Sequence, residues 1–262
     1  MNEIQTYLEE DGLLHCAVCK EPVEAFYPKG SFLEMRKHHR QCACERQAYA
    51  EEVKYYKEKE HQERVVRNKK ICFEEKEMED FIFQNVDRDS GAIRIAKEYV
   101  ANWQKMKKNH MGYLFLGPVG TGKSYLAACI ANALLEQEVT VKMTNFNTIL
   151  NDLFAAEDKT EYVRLLNVYE LLIIDDLGVE RNSEYALENI FSVIDWRYRS
   201  GKPLIITTNL PLAQLKQEIK IEKKRIYDRI LERCIPVKID GVSRRETMVN
   251  DNMQTMKNIL KI

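Results

Sequence analysis

From about Phe81 to Val242, short runs of apolar or β-branched residues alternate with amphipathic stretches. The runs Tyr113–Leu116, Val139–Met143, Leu171–Ile174 and Leu204–Thr207 predict four strands, and Pro236–Ile239 a fifth. Apolar residues at helical spacing predict helices over Lys123–Gln137, Phe146–Phe154, Ser183–Arg199 and Lys223–Arg233. Strands alternating with helices imply right-handed crossovers and a three-layer α/β domain built on a parallel sheet. Upstream the pattern changes twice. Residues 45–80 hold no Gly or Pro and 20 charged residues in 36 with nearly balanced signs, which predicts a long solvated helix. Its apolar residues Val53, Tyr56, Val65 and Val66 keep no heptad, so a coiled coil is not expected. Residues 1–44 carry paired cysteines separated by the turn residues Asp11-Gly12, Pro22, Pro28 and Gly30. Three segments follow: 1–44, a charged helical linker over 45–80, and an α/β domain over 81–262.

Composition narrows the function classes. Of 262 residues 45% are hydrophobic, enough to build a core and to exclude wholesale disorder. Forty Lys and Arg against 41 Asp and Glu leave a formal charge of -1, so any nucleic-acid contact must come from local patches. No apolar run reaches the roughly 18 residues of a membrane helix. The opening MNEIQTYLEEDGLLHC lacks a basic segment followed by an apolar one, so a cytoplasmic protein without a membrane partner is expected.

The chemistry starts after the first strand. GPVGTGKS, Gly117 to Ser124, leads directly into a helix-forming run, which is the context a phosphate-binding loop requires. Its backbone N–H groups (Gly117, Pro118, Val119, Gly120, Thr121 and Gly122 form the curl) should face inward around an anion at a helix N-terminus. Lys123 should reach the β- and γ-phosphates of ATP, Ser124 should ligate Mg²⁺, and Tyr125, opening the helix, completes the expected nucleotide-binding set. In LLIIDD, Asp175 and Asp176 end a buried strand, where ligands sit in such sheets. Asp175 should hold Mg²⁺ and Asp176 orient or deprotonate the attacking water. Thr207-Thr208-Asn209 ends the next strand and places an amide to bond the γ-phosphate or that water.

With GYLFLGPVGTGKSYLAACIANAL, LLIIDDLGVE, PLIITTNL, KRIYDRILERC and VKIDGVSRR in place, the chain resembles the DnaC/DnaI/IstB branch of the AAA+ ATPases over about two-thirds of its length. The branch comprises bacterial replicative-helicase loaders and ATP-binding helpers of certain transposases. The resemblance implies a P-loop NTPase domain of AAA+ type without the C-terminal helical lid, since only 17 residues follow Arg245. It makes Lys123 and Ser124 the Walker A pair, Asp175 and Asp176 Walker B, Asn209 sensor 1 and Arg245 sensor 2. Arg229, in RIYDR, becomes an arginine finger reaching the nucleotide of the next subunit, which implies self-association. From the residues alone, Arg225 and Arg229 read equally well as one basic helix face with Lys223, Lys224 and Arg233. Walker B here ends Asp-Asp, whereas many AAA+ ATPases have Asp-Glu.

The resemblance also places single-stranded DNA near Thr144 to Arg164. There Phe146 and Phe154 either stack on bases or join Ile149 and Leu150 on one core-facing side of a helix. In the first segment, Cys16-Ala17-Val18-Cys19 and, after 22 intervening residues, Cys42-Ala43-Cys44 supply four thiolates in two close pairs, a set suited to tetrahedral Zn²⁺. His15, His38 and His39 stand near enough to replace a ligand, and incidental free thiols are the alternative. Some loaders of the branch carry a zinc module that docks on the helicase. The functions implied are therefore an ATPase that loads a DnaB-type helicase onto single-stranded DNA, an IstB-type transposase helper, or a non-hydrolysing nucleotide-gated adaptor.

Overall fold

The computed structural model describes residues 5–34, 36–85, 91–178, 183–241, 243, 249, 253–257 and 259–260. The chain divides into two compact units, Met1–Glu63 and Arg64–Ile262. Among the described residues no helix is long and apolar enough to cross a membrane.

The first unit is built from two small antiparallel pairs. Strand β1 (Thr6–Leu8) pairs with β2 (Leu14–Cys16), and β3 (Glu24–Phe26) with β4 (Lys37–His39). Asp11 closes the first hairpin by accepting the Leu13 N–H at 2.9 Å, with Gly12 at φ +75°. The buried apolar core of this unit is Cys16, Val23 and Cys42. Helix α1 (Ala43–Cys72) then begins at the second cysteine pair. It is largely solvated, as its charge predicts, and buries Val65 and Cys72.

In the second unit the last turns of α1 are tied down by ion pairs of Arg64 with Glu138 (2.7 Å) and Lys69 with Glu136 (3.0 Å). Two short 3₁₀ turns, Lys76–Asp80 and Phe83–Asn85, lead to α2 (Gly91–Ala101) and α3 (Trp103–Lys108). There follow β5 (Gly112–Leu116), α4 (Lys123–Leu135), β6 (Val141–Asn145), α5 (Phe146–Ala155), α6 (Lys159–Leu166), β7 (Leu171–Leu177), α7 (Glu184–Ser200), β8 (Leu204–Thr208), α8 (Leu212–Lys216), α9 (Ile221–Arg233) and β9 (Cys234–Lys238). The five strands form one parallel sheet in the order β6-β7-β8-β5-β9. Strand alternation divides the core into two layers. Leu171 and Ile173 of β7 pack with α2, α3 and α4, while Leu172 and Ile174 pack with α5, α6, α7 and α9. Each fully buried Leu or Ile contributes about 1.5–3 kcal/mol. The fold is thus the predicted three-layer α/β sandwich.

Some local expectations change. β6 starts at Val141 rather than Val139, because the end of α4 captures the Val139 N–H on Leu134 O (3.0 Å) with Glu138 at φ +61°. On α5 the buried face is Phe146, Ile149 and Leu153, and Phe154 is 83% exposed. Seven residues return a helix to within about 20° of its start, whereas eight overshoot by about 80°. Phe146 is therefore a core residue and does not stack on bases, and Phe154 leaves the core face assigned to it. Inside the second layer Arg197, 1% exposed, spans the strand starts by donating to Pro203 O, Tyr169 O and Glu170 O. Burial lowers its pKa to about 9.

Candidate nucleotide and metal sites

The loop Gly117–Ser124 joins the C-terminal end of β5 to the N-terminus of α4, with Gly122 at φ +94° as the α4 cap. Its glycines are required by close approaches as well as by conformation. A Cβ on Gly117 would run into the carbonyl oxygen of Ile239, and one on Gly120 (φ +80°) into the hydroxyl of Ser243. The strand end that follows β9 therefore braces the loop from outside, and the Ile239 N–H bonds Leu116 O at 2.8 Å. Thr121 Oγ1 donates to Pro118 O (2.9 Å), while Val119 is exposed.

Lys123 is buried at 5% exposure. Its ammonium donates to Gly117 O (3.0 Å), Pro118 O (2.8 Å) and Asn209 Oδ1 (2.6 Å). The structure thus brings together Lys123 and Asn209, which are 86 residues apart in sequence. Tyr125 turns away from the loop: its hydroxyl donates to Ile82 O (3.3 Å) and its ring lies 4.6 Å from that of Phe81.

The two acids sit on a distortion of β7. Pairing with β8 runs regularly to Ile174↔Ile206 and resumes at Leu177↔Thr208, so Asp175 and Asp176 together oppose Thr207. This β-bulge re-aims both side chains. Asp176 takes a left-handed conformation at φ +56°, is exposed, and donates its N–H to Thr207 Oγ1 at 3.0 Å. The Thr207 hydroxyl in turn donates to Asp175 Oδ1. Burial raises the Asp175 pKa, opposed by hydrogen bonds from Thr207 and Ser124 and by the charge of Lys123. Ser124 and Asp175, the pair expected to share Mg²⁺, lie close enough for Ser124 to act on the Asp175 carboxylate. Thr207 is a further site residue that sequence reading treated only as a strand end.

Arg229 points elsewhere. It pairs with Asp195 at 2.7 Å and stacks on Phe191 (4.6 Å) and Tyr198 (5.7 Å). Arg245 lies outside the described residues.

In the first unit the Sγ atoms of Cys16, Cys19, Cys42 and Cys44 all lie within 4.8 Å of one another. Tetrahedral zinc at about 2.3 Å from each sulfur needs separations of about 3.8 Å, so the set fits with small adjustments. Backbone N–H groups of Cys44 and Glu21 lower the Cys19 thiol to about 6. The neighbouring histidines are otherwise engaged. His15 bonds Lys20 O (2.9 Å) and Asp11 Oδ2 (3.0 Å), and His38 bonds His39 O (2.9 Å). His39 lies 3.3 Å from Glu45.

Comparison with known proteins agrees with this architecture. The family model described as IstB-like ATP binding protein matches residues 41–251. The replicative helicase loader DnaC of Escherichia coli (strain K12) is 29% identical over 144 residues, covering 53% of this chain and 56% of the relative, so this chain spans little more than half of that relative's length. The replicative helicase loader DnaI of Bacillus subtilis (strain 168) is 22% identical over 273 residues, covering 94% of this chain and 82% of the relative. A crystal structure of DnaI superposes with a TM-score of 0.58 and 27% identity, covering 68% of this chain and 99% of that one. A crystal structure of the DnaC helicase loader, 23% identical, has the same fold (TM-score 0.53, covering 63% of this chain and 100% of that one). The α/β unit accordingly has the P-loop AAA+ fold.

Proposed function

Since the chain belongs to the family of IstB-like ATP binding proteins, we propose that it is an ATP-dependent loader that delivers a DnaB-type replicative helicase to single-stranded DNA in the cytoplasm. The observation that carries this reading is the length of the DnaI match, 94% of this chain, which takes in the cysteine module as well as the ATPase unit. In this reading the four cysteines hold structural Zn²⁺ and the module they fold docks on the helicase.

The geometry around Lys123 supports the following roles within the α/β unit, and that of Arg229 rests on the resemblance of its RIYDR segment. The N–H groups of the Gly117–Gly122 curl and the α4 N-terminus receive the phosphates. Lys123 transfers its hydrogen bonds from loop carbonyls to the β- and γ-phosphates. Ser124 and Asp175 would hold Mg²⁺, which would neutralise developing charge on the transferring phosphoryl group. Asn209, already on Lys123, orients the γ-phosphate, and Asp176 accepts a proton from the attacking water or aligns it. Arg229 serves a neighbouring subunit, so turnover depends on self-association.

Arg229→Ala should therefore bind ATP nearly as the parent does yet lose about 10³-fold or more in hydrolysis, since an arginine supplied to the transition state is worth that much. Nucleotide titration and steady-state turnover separate the two, and equal loss of both argues against an interface role. The function itself is tested by capture of the purified host helicase with and without ATP. Capture that vanishes when residues 1–44 are deleted supports the loader and its docking module. The family model's IstB-like description favours a second reading, an IstB-type transposase helper. Capture of a transposase instead, with ATP-dependent assembly on duplex DNA, would replace the loader by it.

A further inference from the structure

A polar cavity of about 380 Å³ adjoins the two acids, and its lining includes Asp175, Asp176, Asn145, Thr148 and Glu74. Glu74 belongs to none of the nucleotide-binding motifs. It follows the C-terminal end of α1, where Cys72 and Phe73 are buried in the same core cluster as Met143 of β6, so its backbone is anchored. One carboxylate oxygen accepts the Thr144 hydroxyl at 2.9 Å and the other accepts the Thr148 hydroxyl at 3.0 Å. Thr144 lies in β6 and is itself buried at 5% exposure; Thr148 lies in the first turn of α5. The bridge therefore fastens a strand end to the helix that leaves it.

What it fastens is Asn145, the last residue of β6 and the cap of α5. Its side chain caps α5 by accepting the Thr148 N–H at 2.9 Å, and in the parallel ladder it stands directly beside Asp175. A carboxylate near a helix N-terminus is also favourably placed toward the helix dipole. The Lys142 ammonium, 3.9 Å away, is the cation beside it. A group that fixes the wall of a reaction cavity changes the rate of the chemical step more than the affinity for its substrate, because small displacements disturb alignment.

Building on the ATPase reading above, we propose that Glu74 is a positioning residue: by tying Thr144 to Thr148 it holds Asn145 against Asp175 and keeps the Asp175–Asp176 wall in register for hydrolysis. The end of α1 thereby contributes directly to the geometry of the nucleotide site.

The test uses the full chain and the variants Glu74→Ala and Glu74→Gln, with Lys123→Ala as reference. Glu74→Ala should lower kcat about tenfold to a hundredfold, with KM and nucleotide Kd within about twofold of the parent. Glu74→Gln should restore turnover, because its carbonyl oxygen accepts from Thr144 while its amide N–H donates to Thr148. Combining Glu74→Ala with Thr148→Val should add little further loss, as expected for partners in one link. An unaffected kcat in Glu74→Ala overturns the proposal. So does a loss in Glu74→Gln equal to that in Glu74→Ala, or a fall in kcat matched by a rise in KM and a lowered melting temperature, the mark of a merely structural role. A parent protein without turnover that Lys123→Ala abolishes would remove the ATPase reading and this role together. Parent turnover with an unimpaired Glu74→Ala removes only the role of Glu74.

Discussion

Lys123→Ala should abolish ATP turnover, with a loss of about 10²–10³-fold or more, the range for removing one preorganised charge-stabilising donor. The ammonium is buried and held by two loop carbonyls and Asn209, so it is set in place before any phosphate arrives. Alanine removes the charge that faces the β- and γ-phosphates, and it frees the Gly117 and Pro118 carbonyls to point repulsive oxygens at an anion. Binding should weaken along with turnover, which distinguishes this variant from Arg229→Ala. Because Lys123 is not part of either core cluster, the circular dichroism spectrum should match that of the parent. A steady-state assay with the folded variant decides the matter. Turnover surviving at the parent rate would mean that the measured activity arises elsewhere, and a parent protein that binds ATP without turnover would leave the nucleotide-gated adaptor as the reading.

Stripping zinc from the proposed cysteine site should unfold the first unit up to about Cys42 while leaving the α/β unit protected. The strand pairs there are three residues long and the buried apolar core consists of Val23 and two cysteines. Full burial of one valine contributes about 1.5–3 kcal/mol, whereas ordering each residue costs about 1–2 kcal/mol. Four thiolates on one zinc ion would supply the difference, since structural zinc sites in small peptides are worth about 10–16 kcal/mol. Metal analysis of the purified chain should find one zinc per molecule, and a strong chelator should collapse amide-exchange protection for β1 to β4. Cys42→Ser should reproduce the collapse, as Cys42 is both a proposed ligand and one of the buried core residues. Protection that persists through chelation, in protein free of metal, would refute the zinc assignment.

Much of the α/β unit is legible because its strands are buried on both faces. Tyr113–Leu116, Leu171–Ile174 and Leu204–Thr207 read as apolar runs, and each lies within a parallel strand. Helix α6 was not anticipated, since only part of its surface is apolar. Its signal was local: Asp158 caps it by accepting the N–H groups of Thr160 and Glu161, and Asp158-x-x-Glu161 resembles a capping box. On α5 the apolar spacing misplaces Phe154, because eight residues from Phe146 overshoot two helical turns and carry it off the buried face. Site residues with motif neighbours could be named from sequence, but Thr207, Ser243 and Glu74 act through groups 32, 123 and 70 residues away, and no periodicity reports such contacts.

The bulge in β7 also bears on why the second acid is an aspartate. At Asp176 the backbone is left-handed, with φ +56°, and two residues later Gly178 has φ +100°. Aspartate and asparagine are the non-glycine residues best suited to that conformation, because their short polar side chains can satisfy the nearby backbone. A glutamate would reach one methylene farther toward the water, but it would do so from a chain path that disfavours it. The bulge and the short acid are thus a linked pair: a longer side chain here would favour a straighter strand, and straightening it would give up the Thr207 bonds to the Asp176 N–H and the Asp175 carboxylate.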